Sequence, residues 1–497
     1  MIPCLSGTET DRIALIELGV NAQQKHRAIG RKIMKKLASV LLSTLMAASL
    51  VACGTDTSSG TPEPAPAEDK PAETTTETAA EPAGDEGAVL NIYCWNEEFK
   101  SRLTDHYPGY SKVDDTHGKI GDIDVVWNIT PSDDNAYQNN LDATLKKQES
   151  AAADDKIDLF LVEADYALKY VDTDYTLPVT DLGIDLKELS TQYKYTQDVM
   201  TSSDGTLKGV SWQGCPGVLI YNREAAKEVL GSDDPATVQD AVKDWDTYKA
   251  TAAEMKAKGY YMTATVNDTY RTFSNNVSVP WVNADKKVQV DDNIKRWVDD
   301  SKEMYDAGEI KSTEALWGDA WSSGFYPDGK VFCYFGPAWL INFCMAADVD
   351  GSIANQGGWG ATEGPQGFFW GGTWICAATG TDNKATVADI MRKLTVDKDI
   401  MVSIVEADDD FVNNQPAMEE MANSDYTSAV FGGQNPLGMF AAGAKNIALD
   451  KISAYDQGCN EEFQNAMKDY FDGNSDYETA LNKFYDAITT KYPALSY

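Results

Sequence analysis

From Val89 onward, short runs rich in β-branched and aromatic residues alternate with longer stretches of helical periodicity, and few architectures accommodate such a pattern. Val89–Trp95, Ile123–Ile129 and Ile157–Val162 read as buried strands. A helix expected over Asn135–Ala153 carries Leu141 and Leu145 at helical spacing, after a Pro-Ser-Asp-Asp start signal. Val210–Trp212, Val218–Tyr221, Tyr260–Thr265, Val331–Phe335 and Trp374–Ala377 continue the strands. A helix runs from Arg223 to Gly231, and others span Val242–Lys258, Asp291–Ala307, Ala338–Met345, Ala385–Leu394 and Ile400–Glu406. Helices near Leu437–Ile447, Glu461–Phe471 and Tyr477–Thr490 close the chain. Strands interleaved with helices imply an α/β protein with mostly parallel sheets covered on both faces. Residues 89–497 exceed what one hydrophobic core organises, so two α/β lobes are expected.

The preceding residues lack this texture. Lys35 and Lys36 lead into an apolar run from Leu37 to Ala52, followed by Cys53, the layout of an export signal. The run falls short of the ~20 residues that span a bilayer as a helix. Residues 1–33 fit no export signal, so translation is expected to start at Met34, leaving 1–33 as a mis-annotated upstream extension. The signal peptide is then 34–52. From Gly54 to Ala88 there are no aromatics, five prolines, and nine Asp/Glu against one Lys. Such a segment cannot bury enough apolar surface to offset its ordering entropy, so 53–88 reads as a disordered acidic linker.

Charge and composition remove several functions. With 78 Asp+Glu against 42 Lys+Arg, the formal net charge is −36, opposite to the basic stripe that nucleic acid requires. Only His106 and His117 follow the signal segment; neither has metal-ligand spacing, and both are expected at the surface. Phosphate-loop, dinucleotide, zinc-protease and nucleophile-elbow motifs are missing, so no cofactor, metal or catalytic residue is assigned. Glycoside hydrolysis needs two carboxyls roughly 5–9 Å apart across a sugar. Glu97-Glu98 and Glu163/Asp165 are the pairs to weigh, although neighbours on a strand face opposite ways. Cys94, Cys215, Cys333, Cys344, Cys376 and Cys459 form no Cys-x-x-Cys pattern. Four lie in apolar runs, which favours buried free thiols over a disulfide framework.

Tryptophan is the informative residue, with all twelve copies after Val89. Trp245 and Trp297 fall on the apolar faces of their helices and are expected in the core. Others sit at strand ends or in Gly/Pro-rich loops beside polar groups: Trp95-Asn96-Glu97, Trp212-Gln213, Trp281, Gly336-Pro337-Ala338-Trp339, Trp370-Gly371-Gly372 and Trp374. Each alone can be packing. Recurring at strand ends, they suit a sugar, whose C–H face packs on an indole while its hydroxyls seek acids and amides at the rim.

In their order, the Cys53 lipobox and linker, Val89–Phe99, Ile157–Tyr166, Leu207–Asn222 leading into Arg223-Glu224, Tyr334–Trp339, and Gly358-Trp359-Gly360 through Gly371–Trp374 resemble a known family. It is that of the extracellular solute-binding proteins of bacterial ABC importers, in the carbohydrate-binding group that includes maltose-binding proteins (family 1). The resemblance implies a two-lobe periplasmic-binding-protein-like fold (type II), with ligand in a cleft between lobes joined by hinge segments. Crossings fall near Cys215–Leu219, Phe368–Thr373 and Ser428–Pro436. Lobe 1 is then about 89–215 plus 373–428, and lobe 2 about 219–368 plus 436–497. By the same resemblance Asn96 and Glu97 bind hydroxyls, Asp165 is a ligand-binding acid, and Trp212 and Gln213, just before the first crossing, contact the ligand. Trp339 is a stacking residue after a Gly-Pro turn, Trp370 lies at the second crossing, and Cys53 is lipidated. The basic residue beside the first-strand acid in the maltose binders is missing, since Glu98 and Phe99 follow Glu97; this leaves a polyamine open beside a sugar.

The implied partners are a carbohydrate ligand, a transmembrane permease and, through the lipid, the outer face of the bacterial cell membrane, with the protein a monomer. A lipid-anchored glycoside hydrolase and a sensor feeding a membrane receptor are the competing readings.

Overall fold

The computed structural model of the protein describes residues 87–449 and 451–497. The upstream extension 1–33, the export signal 34–52, Cys53 and the linker as far as residue 86 lie outside the described residues.

The first half of the fold is organised by a seven-stranded mixed sheet. Its strands are β1 (Val89–Cys94), β2 (Tyr110–Lys112), β3 (His117–Ile120), β4 (Ile123–Ile129), β5 (Leu159–Glu163), β6 (Val210–Ser211) and a late one, Thr373–Ala377. β1 pairs in parallel with β4 and β5. The remaining pairings are antiparallel, because β2, β3 and β4 are joined by turns too short for a crossover and Thr373–Ala377 re-enters against β5. The second half holds β7 (Pro216–Asn222), β8 (Thr263–Thr265), β9 (Ile310–Ser312), β10 (Cys333–Gly336), β11 (Trp359–Thr362) and β12 (Phe368–Phe369), which makes Thr373–Ala377 β13. β7 carries β10, β11 and β12 as antiparallel neighbours, and β8 and β9 form a parallel pair. The expectation of mostly parallel sheets is corrected accordingly; the α/β class and the two lobes stand.

Helices follow the apolar periodicity. Glu98–His106 buries Phe99, Arg102 and Leu103 on one face, and Asp292–Asp306 buries Ile294, Trp297, Val298 and Met304. Part of the acidic excess sits at helix starts, where a carboxylate accepts backbone N–H groups and meets the positive end of the helix dipole. Asp244 forms a capping box with Thr247, while Asp291, Asp397 and Asp476 cap three other helices. The stretch expected as one helix over Asn135–Ala153 is helical over Ala136–Leu145 and continues as short 3₁₀ turns.

Two apolar clusters fill the interior. One spreads from Leu90, Phe160 and Ile375 through Trp212 to Trp321, Tyr334 and Trp359. The other gathers Leu219, Tyr248, Trp297, Phe463 and Phe484. Trp245 and Trp297 are core residues as expected, Trp245 stacking on Phe273 at 4.3 Å. The six cysteines that follow Val89 are unpaired, five of them buried. His106 departs from its expected surface position: its side chain is buried, with Nδ1 2.8 Å from the Ser403 hydroxyl and Nε2 3.0 Å from Asp408.

The chain passes between the sheets at Gln213–Cys215 and again at Trp370–Gly372, and these strands of backbone run together. The Trp370 N–H donates to the Cys215 carbonyl at 3.3 Å. Gly371 and Gly372 adopt φ of +69° and +106°, and a Cβ on Gly371 would sit 3.3 Å from the Trp339 indole, so these positions favour glycine on both counts.

Candidate ligand-binding cleft

β1 ends in the loop that forms one wall of the cleft. The Asn96 side-chain oxygen accepts the Glu98 N–H at 3.1 Å, which starts the helix with Glu98 turned inward and Glu97 turned out. Glu98 is 8% exposed and accepts from Gln213 Nε2 at 2.6 Å. Gln213 also reaches Asp410 at 3.5 Å and accepts the Thr373 N–H at 3.2 Å. Behind them Arg102 pairs with Asp408 at 2.9 Å and Asp410 at 3.5 Å. Burial pushes the Glu98 carboxyl up to about 7; Asp410 and Asp408 add to this, while Arg102 and Gln213 oppose it.

The end of β5 supplies a second pair of acids. Glu163 accepts the Asp165 N–H at 2.7 Å. Burial pushes Glu163 up to about 8, with the Asp165 charge adding and Arg271 opposing. Asp165 itself receives both Arg271 amino groups, Nη1 at 2.7 Å and Nη2 closer still. Arg271 stands on the short helix Tyr270–Ser274 of the second half, so this pair crosses the cleft. Farther along, Gln138 donates to Gln457 at 3.2 Å and ties the helix Ala136–Leu145 to Asp456–Phe471.

Aromatic rings form the remaining wall. Trp339 follows the Gly336-Pro337 turn and donates its indole N–H to the Trp370 carbonyl at 3.2 Å; the two rings meet edge-on at 5.0 Å. Trp317 stacks over Trp339 at 6.1 Å and 22°. It is 60% exposed and held at φ +71°, a conformation that non-glycine residues rarely adopt and that clusters at functional sites. Trp95 meets Tyr137 and Tyr166 edge-on at 5.5 and 6.3 Å.

These groups enclose a cavity of about 430 Å³, within the range of small-molecule sites. Of the residues expected from sequence, Asn96, Asp165, Gln213, Trp339 and Trp370 line it. Glu97 and Trp212 do not. The Glu97 side chain is 66% exposed and pairs with Lys100 at 2.7 Å, while Trp212 is fully buried against Phe99. Trp281 and Trp374 are likewise buried, their indoles donating to Asn460 and the Thr196 carbonyl. Glu98, Glu163, Arg271 and Trp317 also line the cavity without having been assigned to it. In sequence, Glu98 and Glu163 stand out only as acids of a hydrolase pair. Arg271 has no local signal, since its meaning depends on a residue 106 positions away.

Planar indoles beside carboxylates and a carboxamide can hold a polyhydroxylated ring by its apolar face and its edge. Residues 115–431 match the family described as bacterial extracellular solute-binding protein. No curated protein matches the chain. Among solved structures, an extracellular solute-binding protein of family 1 is 20% identical, with TM-score 0.66 over 81% of this chain and 100% of that one. The ABC transporter associated binding protein from B. animalis subsp. lactis Bl-04, in complex with β-1,6-galactobiose, is 17% identical, with TM-score 0.62 over 83% and 99%. The galacto-N-biose/lacto-N-biose I-binding protein of the ABC transporter from Bifidobacterium longum, in complex with lacto-N-biose, is 16% identical, with TM-score 0.59 over 83% and 100%. At these identities the structures establish the shared two-lobe fold. The family match takes in β3 to β13 and the cleft residues from Ser132 to Thr373, and the chain belongs to the bacterial extracellular solute-binding proteins.

Proposed function

We propose that this protein captures a sugar or oligosaccharide between its lobes and presents the closed complex to the permease of an ABC importer. It releases the ligand chemically unchanged, and Cys53 carries the lipid that anchors it outside the cell membrane. The observation that carries the reading is the gathering of Trp95, Trp317, Trp339 and Trp370 with Asn96, Gln213 and carboxylates around one cavity. Rings of this kind bury the C–H face of a pyranose, and the amides and acids at the rim take its hydroxyls. Carboxylates outnumber the single guanidinium there, which disfavours acidic sugars. Sugars bound by structural neighbours, β-1,6-galactobiose and lacto-N-biose, agree with this choice.

Closure follows from differential affinity: a ligand shifts the open–closed equilibrium only by what it gains from touching both lobes at once. Titration calorimetry with β-1,6-galactobiose, lacto-N-biose, maltose and spermidine tests the reading. One-to-one binding of a sugar, recovered intact afterwards, supports it. Heat from spermidine alone, or disappearance of the sugar, overturns it. Anchoring is tested separately, by incorporation of labelled fatty acid that Cys53→Ser abolishes.

A further inference from the structure

Two acids of the cleft have no cation of their own. Of the four carboxylates in the cavity lining, Asp165 takes both amino groups of Arg271, and Glu461 takes Lys491 at 3.1 Å. Arg102, the cation behind Glu98, is engaged by Asp408 and Asp410. Among the described residues, no Lys or Arg pairs with Glu98 or Glu163. Each of the two also keeps one carboxylate oxygen that no hydrogen bond reaches, since Glu98 accepts from Gln213 on Oε1 and Glu163 accepts the Asp165 N–H on Oε2.

We propose that the ligand is an amino sugar, its protonated nitrogen held by the free oxygen of Glu163 and its ring laid on Trp339. The proposal rests on the reading of the cleft as a sugar site.

Three observations carry it. The first is an opening: a Cβ on Gly371 would stand 3.6 Å from Glu163 Oε1 and 3.3 Å from the Trp339 indole. Glycine therefore leaves free the space that the carboxylate oxygen and the ring both flank. The second is a backing charge. Gln213 donates to Glu98 at 2.6 Å and accepts the N–H of Thr373, the residue registered against Glu163, so the second unpaired acid stands behind the first.

The third is the cost of leaving these acids alone. Glu98 is 8% exposed, and burial pushes its carboxyl up to about 7, with Arg102 opposing and Asp410 and Asp408 adding. Burial pushes Glu163 up to about 8, with Asp165 adding, Arg271 opposing and Glu461 adding. Carboxyls so placed ionise readily once a positive charge arrives beside them. An ammonium group is attracted both by a carboxylate and by the face of an indole. The other two acids of the lining are already matched, so the cleft suits one amine on a ring rather than the row of amines on a polyamine.

The test is calorimetry on the full chain with sugars that differ only at C2, at about pH 6.5, where an amine of this kind carries its proton. Glucose, glucosamine and N-acetylglucosamine form one set, the three galactose counterparts a second, and cellobiose with its diamino and diacetamido analogues a third. In at least one set the amino form should bind about tenfold or more tighter than the hydroxyl form. Repeating the titration in buffers of different ionisation heat should show protons released with the amino form and none with the hydroxyl form, because the entering cation ionises acids that were protonated. Glu163→Gln removes the charge at constant volume and should bring the preference below about threefold and abolish most of the proton release. Glu98→Gln should lower both. The preference is a ratio within one protein, so a general loss of affinity cancels; should a variant bind no sugar, the unaltered protein's preference and proton release decide. Equal or weaker binding of the amino forms, no proton release, or a preference untouched by Glu163→Gln overturns the amino sugar while leaving the sugar reading intact. Failure of every sugar to bind, β-1,6-galactobiose, lacto-N-biose and maltose included, overturns both.

Discussion

Asp165 and Arg271 join the two halves of the protein across the cleft, through a fork of guanidinium N–H groups onto both carboxylate oxygens. Asp165 belongs to the loop after β5 and Arg271 to the helix Tyr270–Ser274, so the pair exists only when the lobes are together. Both side chains are mostly removed from solvent, with 23% and 18% exposure, which lifts the pair above the negligible value of surface ion pairs. Arg271→Met, similar in length and uncharged, leaves Asp165 without its partner and shifts the free protein towards the open form. The radius of gyration from X-ray scattering should increase in the free variant, and sugar affinity should fall about 10- to 100-fold. An unchanged scattering profile would show that the pair does not hold the lobes.

Trp339 and Trp212 should separate binding from stability. Trp339 is half-buried in the cavity wall, so Trp339→Ala should weaken sugar binding by roughly 1–3 kcal/mol, from lost burial of aromatic area. Trp212 is fully buried against Phe99. Its truncation should cost about 3–5 kcal/mol of folding stability. Thermal melts and calorimetry on both variants check the division; a Trp212→Ala protein that melts normally but no longer binds would reverse it.

How far the fold and site are legible in sequence depends on whether the signal is local. β4 is read at its observed bounds, Ile123–Ile129, because its apolar run is bounded on both sides. β2 and β12 escape notice, being three and two residues long and held by pairing rather than pattern. Trp339 and Trp370 are legible because a Gly-Pro turn and a Gly-Gly pair mark their loops. Trp212 carries the same kind of loop signature, yet packing of the Glu98–His106 helix covers it with Phe99, a contact between residues far apart in sequence. Glu97 and Glu98 cannot be told apart by composition. The Asn96 bond that starts the helix decides which of them faces the cavity.

Glu98 gives the protein a pH signature. Free glutamic acid titrates near ~4.3, whereas burial pushes the folded Glu98 carboxyl up to about 7, against the opposing Arg102 and with Asp408 and Asp410 adding. Between those values the folded chain holds a proton that the unfolded chain has released. The favourable contribution of the neutral acid is therefore complete below the unfolded value and is lost as pH rises through about 7. Glu98→Gln stays neutral and still accepts from Gln213. Its stability relative to the unaltered protein should be near zero below about pH 4, grow by roughly 3–4 kcal/mol as pH rises to about 7, and change little beyond that. Chemical denaturation on both sides of the transition checks this; a difference independent of pH would assign Glu98 an ordinary carboxyl.

Gln213 is the knot where the crossing segments meet the site. Its amide donates to Glu98 and Asp410 and accepts from the Thr373 backbone, so one side chain ties the exit of β6, the entry of β13 and an acid of the cavity. Gln213→Leu keeps the volume and breaks all three bonds, leaving buried polar groups unmet at about 1–3 kcal/mol for each. The variant should melt at lower temperature, exchange the Thr373 amide proton faster, and bind sugar more weakly because the lobes lose their fixed relation. Gln213→Glu distinguishes a structural knot from a packing residue. Protonated at low pH, it can restore a donor to Glu98 or Asp410; ionised at high pH, it puts a third carboxylate between them. Its stability should therefore collapse with rising pH more steeply than that of the unaltered protein, whereas Gln213→Leu should be low throughout. Parallel pH curves for the two variants would mean that Gln213 acts by its volume alone.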